Sequence, residues 1–192
     1  MLTTNQSKEA GRLSFRQPVA ADGPAMHALV ERCKPLDVNS RYCYLILCEH
    51  YSSSCIVAEM DGEVVAMMTA YVLPERRDTL FVWQIAVDAR LRGRGVARKL
   101  FAHLLKRRNL MNITTIEATV NPSNDASRAL FHSLAKACGC GVEETPLFEA
   151  RLFDSAGFDH AGADHAEGEH EQENLIRVGP IYSVRKTLIG RR

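Results

Sequence analysis

Residues 80–87 read LFVWQIAV, residues 88–95 read DARLRGRG and residues 96–105 read VARKLFAHLL. The first stretch is almost continuously apolar and rich in β-branched and aromatic side chains, which predicts a strand covered on both faces and central in a sheet. In strand alternation Phe81, Trp83 and Ile85 share one face, and Val82, Gln84 and Ala86 the other. The last stretch sets Val96, Leu100 and Leu104 on one helical stripe with Ala97, Phe101 and Leu105 beside it, so it predicts an amphipathic helix. Gly93 and Gly95 lie between them, among Arg90, Arg92 and Arg94. A strand that feeds a helix through a glycine turn is half of a crossover unit, the building block of an α/β fold.

The neighbouring segments extend this pattern. Upstream, LSFRQPV reads as a short strand, Asp22 as the N-cap of a helix carrying Met26, Leu29, Val30 and Cys33, and Pro35 as its end. Ser40 caps a second helix, SRYCYLILCEHY; SCIVAEM and EVVAMMTAYV flank an Asp61-Gly62 turn and predict a hairpin. Downstream, NITTIEATV reads as a strand and NDASRALFHSLAKACGCG as a helix with Asn124 near its start and glycine at its end. NLIRVGPIYSVRKTL completes the sheet. The expected architecture is one α/β domain over residues 13–188, with a mixed central sheet flanked by helices. Residues 1–12 and 189–192 are expected as tails, and residues 154–173, rich in glycine, alanine, acids and histidines, as a mobile loop.

Composition removes several classes. The 192 residues are 46% hydrophobic and 24% charged, ordinary for a globular chain and wrong for collagen, coiled coil or disorder. With 24 Lys and Arg against 23 Asp and Glu, the chain has no general positive field for a nucleic-acid backbone or an anionic membrane. No apolar run is long enough for a span or a secretory signal, which predicts a cytoplasmic protein. The six cysteines lack CxxC pairing and read as reduced, partly buried thiols rather than metal ligands; no metal is expected.

The glycine turn carries the chemistry. Amides at a helix start lack carbonyls four residues earlier, and the helix dipole adds about half a positive charge there. Glycines at 93 and 95 let backbone approach a pyrophosphate, and the arginines supply charge-assisted contacts. A solvated basic rim on a simple strand-to-helix turn is the alternative. A dinucleotide site would need GxGxxG after the first strand and an acid about 20 residues on, and that context is missing.

RLRGRG matches the (Q/R)xxGx(G/A) motif of the GNAT superfamily of N-acetyltransferases, with Arg90, Gly93 and Gly95 on its fixed positions, and NPSNDASRALF resembles the second cofactor segment of that superfamily. The resemblance implies acetyl-CoA. It implies main-chain contacts from Ile85, Ala86 and Val87, a phosphate cradle of Arg92, Gly93, Arg94, Gly95, Val96 and Ala97, and a pantetheine contact from Asn124. The sequence departs from the pattern at Phe131, where many members carry a tyrosine that protonates the leaving thiolate. A closer resemblance runs from about residue 15 to 181. CKPLDVNSRYCYL, PERRDTLFVWQIAV, ETPLF and HEQENLIRVGP are similar to the diaminobutyrate acetyltransferases of ectoine synthesis. That similarity implies transfer of acetyl to the 4-amino group of a small diamino acid, a homodimer, and neither nucleic acid nor membrane as partner.

Such a substrate carries one carboxylate and two ammonium groups. Asp37, in a proline-bounded turn, is a candidate ammonium ligand, with Asn39 or Arg41 for the carboxylate; the alternative is that Asp37 only caps the next turn or helix. Tyr42 and Tyr44 stand two apart on a helix and cannot share a face, so at most one lines the site. By the resemblance Trp83 presents its ring or N–H to substrate, against a plain core reading. His170 and Glu173 are three apart; the resemblance favours an ammonium grip by Glu173 over a solvated or weakly metal-binding loop. Asp37, Glu173 and Trp83 are therefore the candidate catalytic set, and Asp37, Arg41, Tyr42, Trp83, His170 and Glu173 the substrate set. A noncatalytic acyl-CoA sensor, prompted by Phe131, and an acetyltransferase for another small amine or a protein lysine are the competing readings.

Overall fold

The computed structural model describes residues 11–153 and 171–182. Its strands are β1 (Ser14–Arg16), β2 (Ile56–Met60), β3 (Glu63–Val72), β4 (Thr79–Val87), β5 (Thr115–Val120), β6 (Gly141–Phe148) and β7 (Glu173–Gly179). Its α-helices are α1 (Gly23–Glu31), α2 (Arg41–His50), α3 (Val96–Leu104) and α4 (Asp125–Cys138). The strands form one mixed sheet in the order β1-β2-β3-β4-β5-β7-β6, so LFVWQIAV is the central strand as its composition predicts. β4 runs parallel to β5 with Thr79 opposite Thr115; β1 with β2, β2 with β3, β5 with β7 and β6 with β7 are antiparallel.

Local chemistry explains the element ends. Asp61 and Gly62 both have positive φ, 53° and 81°, as a two-residue hairpin turn between β2 and β3 requires. Ser40 Oγ accepts the Cys43 N–H at 3.2 Å and starts α2; Asn124 Oδ1 accepts the Ser127 N–H at 3.1 Å and starts α4. Gly139, at φ 65°, closes α4 in the left-handed region.

Two compact units are built on this sheet. One runs to Thr69 and takes in Gln84–His103; the other takes in Ala70–Trp83 and the chain from Leu104. The first has a core of Met26, Leu29, Val30 and Cys33 from α1 and its end, Tyr44, Leu47 and Cys48 from α2, and Val57, Met67 and Ala86 from the sheet. In the second, α4 buries Phe131, Leu134, Ala135 and Cys138 and packs on β6 and β7, whose Ile176 and Val178 are also buried. The six cysteines are free thiols, four buried and two half-buried, and burial pushes the Cys48 thiol up to about 12.

Several expectations are corrected. Asp22 stands at the N-cap position of α1 as expected, but its side chain does not cap the helix; its carboxylate is clamped by Arg16 at 2.7 and 2.8 Å and accepts the Val19 N–H, so an ion pair outcompetes the cap. α1 ends at Glu31, before Pro35. β4 is covered on one face only: Leu80, Val82 and Ala86 are buried with Gln84, while Trp83 is 44% exposed and Phe81 and Ile85 are half-buried. β6 was not expected as a strand. It is an edge strand exposed along most of its length, so GVEETPLF has no buried face to impose alternation, and Pro146 is tolerated beside a register shift. β7 starts at Glu173, one residue inside the expected loop, and stops at Gly179 because Pro180 offers no N–H. Residues 154–170 of that loop, residues 1–10 and 189–192 of the expected tails, and residues 183–188 lie outside the described residues.

Candidate active site

The strand-to-helix turn is built from residue 87 onward. The Val87 carbonyl accepts Arg92 Nε at 3.1 Å, with Cys33 Sγ 3.5 Å away. Asp88 accepts the Arg90 N–H and Arg90 Nε, each at 2.9 Å, so Arg90 closes the turn on itself while Arg94 stays exposed. These bonds hold the Asp88 carboxyl down at about 2. Gly93 and Gly95 have φ of 73° and 72°, and a Cβ built on either would meet no atom within 4 Å, so backbone faces open space at both. The Lys99 N–H bonds the Gly95 carbonyl at 3.1 Å; the amides of Val96, Ala97 and Arg98 therefore sit in the first turn of α3. This is a fit for pyrophosphate: donors, an open approach without β-carbons, and exposed guanidinium groups.

Next to that strand end, in the same unit, lies the turn between α1 and α2. Gln84 Nε2 donates to the Asp37 carbonyl at 2.7 Å, Tyr44 Oη donates to Gln84 Oε1 at 2.9 Å, and the Gln84 N–H bonds Thr69 Oγ1 at 3.2 Å. Tyr44 and Thr69 are fully buried and Gln84 nearly so. Burial pushes the Tyr44 phenol up, against hydrogen bonds from Asn39 and Gln84 that pull it down. Asp37, Arg41 and Tyr42 are exposed. Because Ser40 caps α2, the Asp37 carboxylate is not used as the cap, and among the described residues it has no protein partner. Of the two tyrosines Tyr42 faces outward, 70% exposed, and Tyr44 inward, as their spacing requires.

The other unit holds the remaining candidates. Trp83 is 44% exposed, so the core reading does not describe it, and Tyr71 and Phe81 pack nearby with centroids 5.3 Å apart. Glu173 opens β7 half-buried, its carboxylate without a protein partner among the described residues. Its neighbour Glu171 accepts the Ser123 N–H at 3.1 Å, just before Asn124. His170 lies outside the described residues. Glu117, 1% exposed, is held by Arg76 (2.6 Å at both oxygens) and Arg177 (2.7 Å). Burial pushes its carboxyl up, but those bonds outweigh it and keep it below the ordinary range. Phe131 is buried and carries no transferable proton.

Gln84 was missed by sequence reasoning, and Tyr44 was weighed only as the alternative to Tyr42. The signal was present in Gln84, the one polar side chain on the covered face of an apolar strand, which must find hydrogen-bond partners.

The comparisons fall on the same segments. Residues 24–135 match the acetyltransferase (GNAT) family. The L-2,4-diaminobutyric acid acetyltransferase of Bordetella parapertussis is 42% identical over 93% of this chain and 90% of its own. That of Shouchella clausii is 40% identical over 89% of each. The solved diaminobutyrate acetyltransferase of Paenibacillus lautus, in complex with its substrate L-2,4-diaminobutyric acid and coenzyme A, superposes with a TM-score of 0.81 at 32% identity, over 90% of this chain and 97% of its own. With this fold, the open glycine turn and similarity over nearly its whole length, the chain belongs to the GNAT acetyltransferases and, among them, to the L-2,4-diaminobutyric acid acetyltransferase family.

Proposed function

We propose that the protein transfers acetyl from acetyl-CoA to the 4-amino group of L-2,4-diaminobutyrate, giving N4-acetyl-L-2,4-diaminobutyrate and CoA, as a step of ectoine biosynthesis serving osmoadaptation in the cytoplasm. The observation that carries the reading is the Paenibacillus lautus complex, which pairs this fold with both diaminobutyrate and coenzyme A. Bound at the glycine turn, acetyl-CoA supplies an activated thioester. The chain's residues supply position and a proton path. The first-turn amides of α3 and the Arg92 and Arg94 side chains take the pyrophosphate, the Asn124 side chain takes pantetheine, and main chain at Ile85, Ala86 and Val87 orients the thioester.

Asp37 and Glu173 hold the ammonium groups, and Arg41 the carboxylate, with Tyr42, Trp83 and His170 completing the substrate set. Among the described residues neither acid is paired with an arginine, unlike Asp22, Asp88 and Glu117. Deprotonating an ammonium with reference pKa near 10.4 costs roughly 4 kcal/mol at pH about 7.5, so an acid that grips the cation also suits proton acceptance directly or through water. The neutral amine attacks the thioester within one ternary complex; no protein nucleophile intervenes. Neither Phe131 nor Tyr44, whose proton is spent on Gln84, serves the departing thiolate; the C–S bond breaks as the new C–N bond forms, and the sulfur takes the proton shed by the acylated nitrogen, directly or through water. The enzyme assembles as a homodimer, a reading supported by the exposed Leu147, Phe148, Leu152 and Phe153 at and after β6.

Steady-state kinetics tests this. Initial-rate lines against the two substrates should intersect, and Asp37→Ala and Glu173→Ala should each raise the diaminobutyrate KM about 10- to 100-fold, the scale of a lost charge-assisted hydrogen bond, with the acetyl-CoA KM little changed. Parallel lines, or equal effects on both substrates, contradict it. The sensor reading instead predicts saturable acetyl-CoA binding with no amine-dependent CoA release.

A further inference from the structure

Gln84 joins two parts of the molecule with different tasks. Its main chain belongs to β4, one residue before Ile85, where the strand approaches the glycine turn; its side chain reaches 47 positions back to the turn that carries Asp37. The bond is short, 2.7 Å from Nε2 to the Asp37 carbonyl, and the side chain is nearly buried, so water cannot readily replace it. A glutamine amide can face either way, but here the direction is fixed. The Asp37 carbonyl only accepts, which calls for Nε2, and Tyr44 Oη donates to Oε1 at 2.9 Å. Asn39, in the same turn, pulls the Tyr44 phenol down against the rise from burial, so Tyr44 also senses that turn. The Thr69 hydroxyl on the Gln84 N–H anchors the residue's own backbone.

We propose that Gln84 is a positioning residue that sets where the Asp37 carboxylate stands relative to the strand end Ile85–Val87, with Tyr44 fixing the direction of its amide. Gln84 touches neither substrate; it acts through the Asp37 backbone. The assignment rests on the ammonium-binding role proposed for Asp37. Its consequence is selective. Loosening the turn lets the Asp37 carboxylate wander, which weakens the grip on the amine, while the glycine turn that holds acetyl-CoA keeps its own bonds at Asp88 and Arg92.

The test uses Gln84→Met, which keeps shape and removes both side-chain hydrogen bonds, Gln84→Glu, which exchanges the Nε2 donor for a carboxyl oxygen and, when ionised, sets a negative charge against the Asp37 carbonyl, and Tyr44→Phe. Both Gln84 variants should raise the diaminobutyrate KM about tenfold or more, the scale of one buried hydrogen bond, with CoA binding by calorimetry changed less than about twofold. Tyr44→Phe should shift it in the same direction by less and add nothing to Gln84→Met. Amide hydrogen exchange at residues 36–40 should quicken in step with the KM rise. An unchanged diaminobutyrate KM, or KM and CoA affinity worsening together with a fallen Tm, would overturn the assignment. If the wild-type chain does not acetylate diaminobutyrate, the functional reading fails by itself. The turn-holding role is then judged on exchange alone, and unchanged exchange in Gln84→Met overturns it too.

Discussion

Asp88 and Glu117 are both carboxylates held by arginine, and their surroundings give them different consequences. Asp88 accepts the Arg90 amide as well as its guanidinium, so it caps the short turn that leads to the glycines. Its folded pKa, about 2, lies below the ordinary 3.8; its contribution is therefore complete above about pH 4 and is lost as pH falls toward 2. Asp88→Ala should lose about 1 kcal/mol of stability near neutrality, the usual value of a cap. The difference from wild type should shrink in urea melts below about pH 3, and Asp88→Asn, which keeps a cap oxygen but loses the charge that the Arg90 guanidinium binds, should lose most of the same stability at neutral pH. A difference that persists undiminished at pH 2 contradicts this. Glu117 is buried between Arg76 and Arg177, which are themselves nearly half exposed. Glu117→Gln leaves two guanidinium groups beside a neutral amide, and their access to water keeps the cost at about 2–3 kcal/mol rather than the larger loss of a wholly buried pair. Denaturant unfolding checks it.

Among the elements, α4 carries a test that separates folding from binding. Asn124 Oδ1 caps the helix through the Ser127 N–H, while the proposed pantetheine contact comes from the same side chain. Asn124→Asp keeps the cap oxygen and should leave Tm within about a degree or two; Asn124→Ala should cost about 1 kcal/mol. Both should weaken acetyl-CoA binding if the amide nitrogen makes the pantetheine contact, and undiminished binding in Asn124→Asp contradicts that role. Gly93→Ala and Gly95→Ala force a side chain into the left-handed region at about 1–2 kcal/mol each and fill the open approach to the turn, so acetyl-CoA affinity should fall with stability. Elements with a strong pattern were legible without a structure: LFVWQIAV by its nearly continuous apolarity, the β2–β3 hairpin by Asp61-Gly62, and α3 by its stripe. β6 was not, because a strand exposed along most of its length leaves little buried pattern for the sequence to show. The uncovered face of β4 was equally hidden, since the apolar residues of an open face and of a packed one read alike.

At the scale of the whole molecule, the fold and the cofactor turn follow from the order strand, glycine turn, helix, strand, whereas the substrate side does not. A carboxylate in a turn reads the same whether it caps a helix or stays available to a ligand; the placement of Ser40 at the α2 cap removes the first reading for Asp37, and the ammonium grip is the proposal made for the second. Resemblance to a family singled out Asp37 and Glu173; physical chemistry alone left them among many acids. The proposed dimer is tested by light scattering, which should give twice the 21.4 kDa chain mass, falling to one chain mass when Phe148 and Leu152 are both replaced by glutamate. The central claim is acetyl transfer to one nitrogen of one small diamine. Its most direct test incubates the protein with acetyl-CoA and L-2,4-diaminobutyrate, ornithine, lysine or putrescine, quantifies products by mass spectrometry and assigns the acetylated nitrogen by NMR. The account predicts rapid, selective formation of the 4-acetyl product from diaminobutyrate; acetyl-CoA binding without product from any of these amines, or acetylation at the 2-amino group, would contradict it.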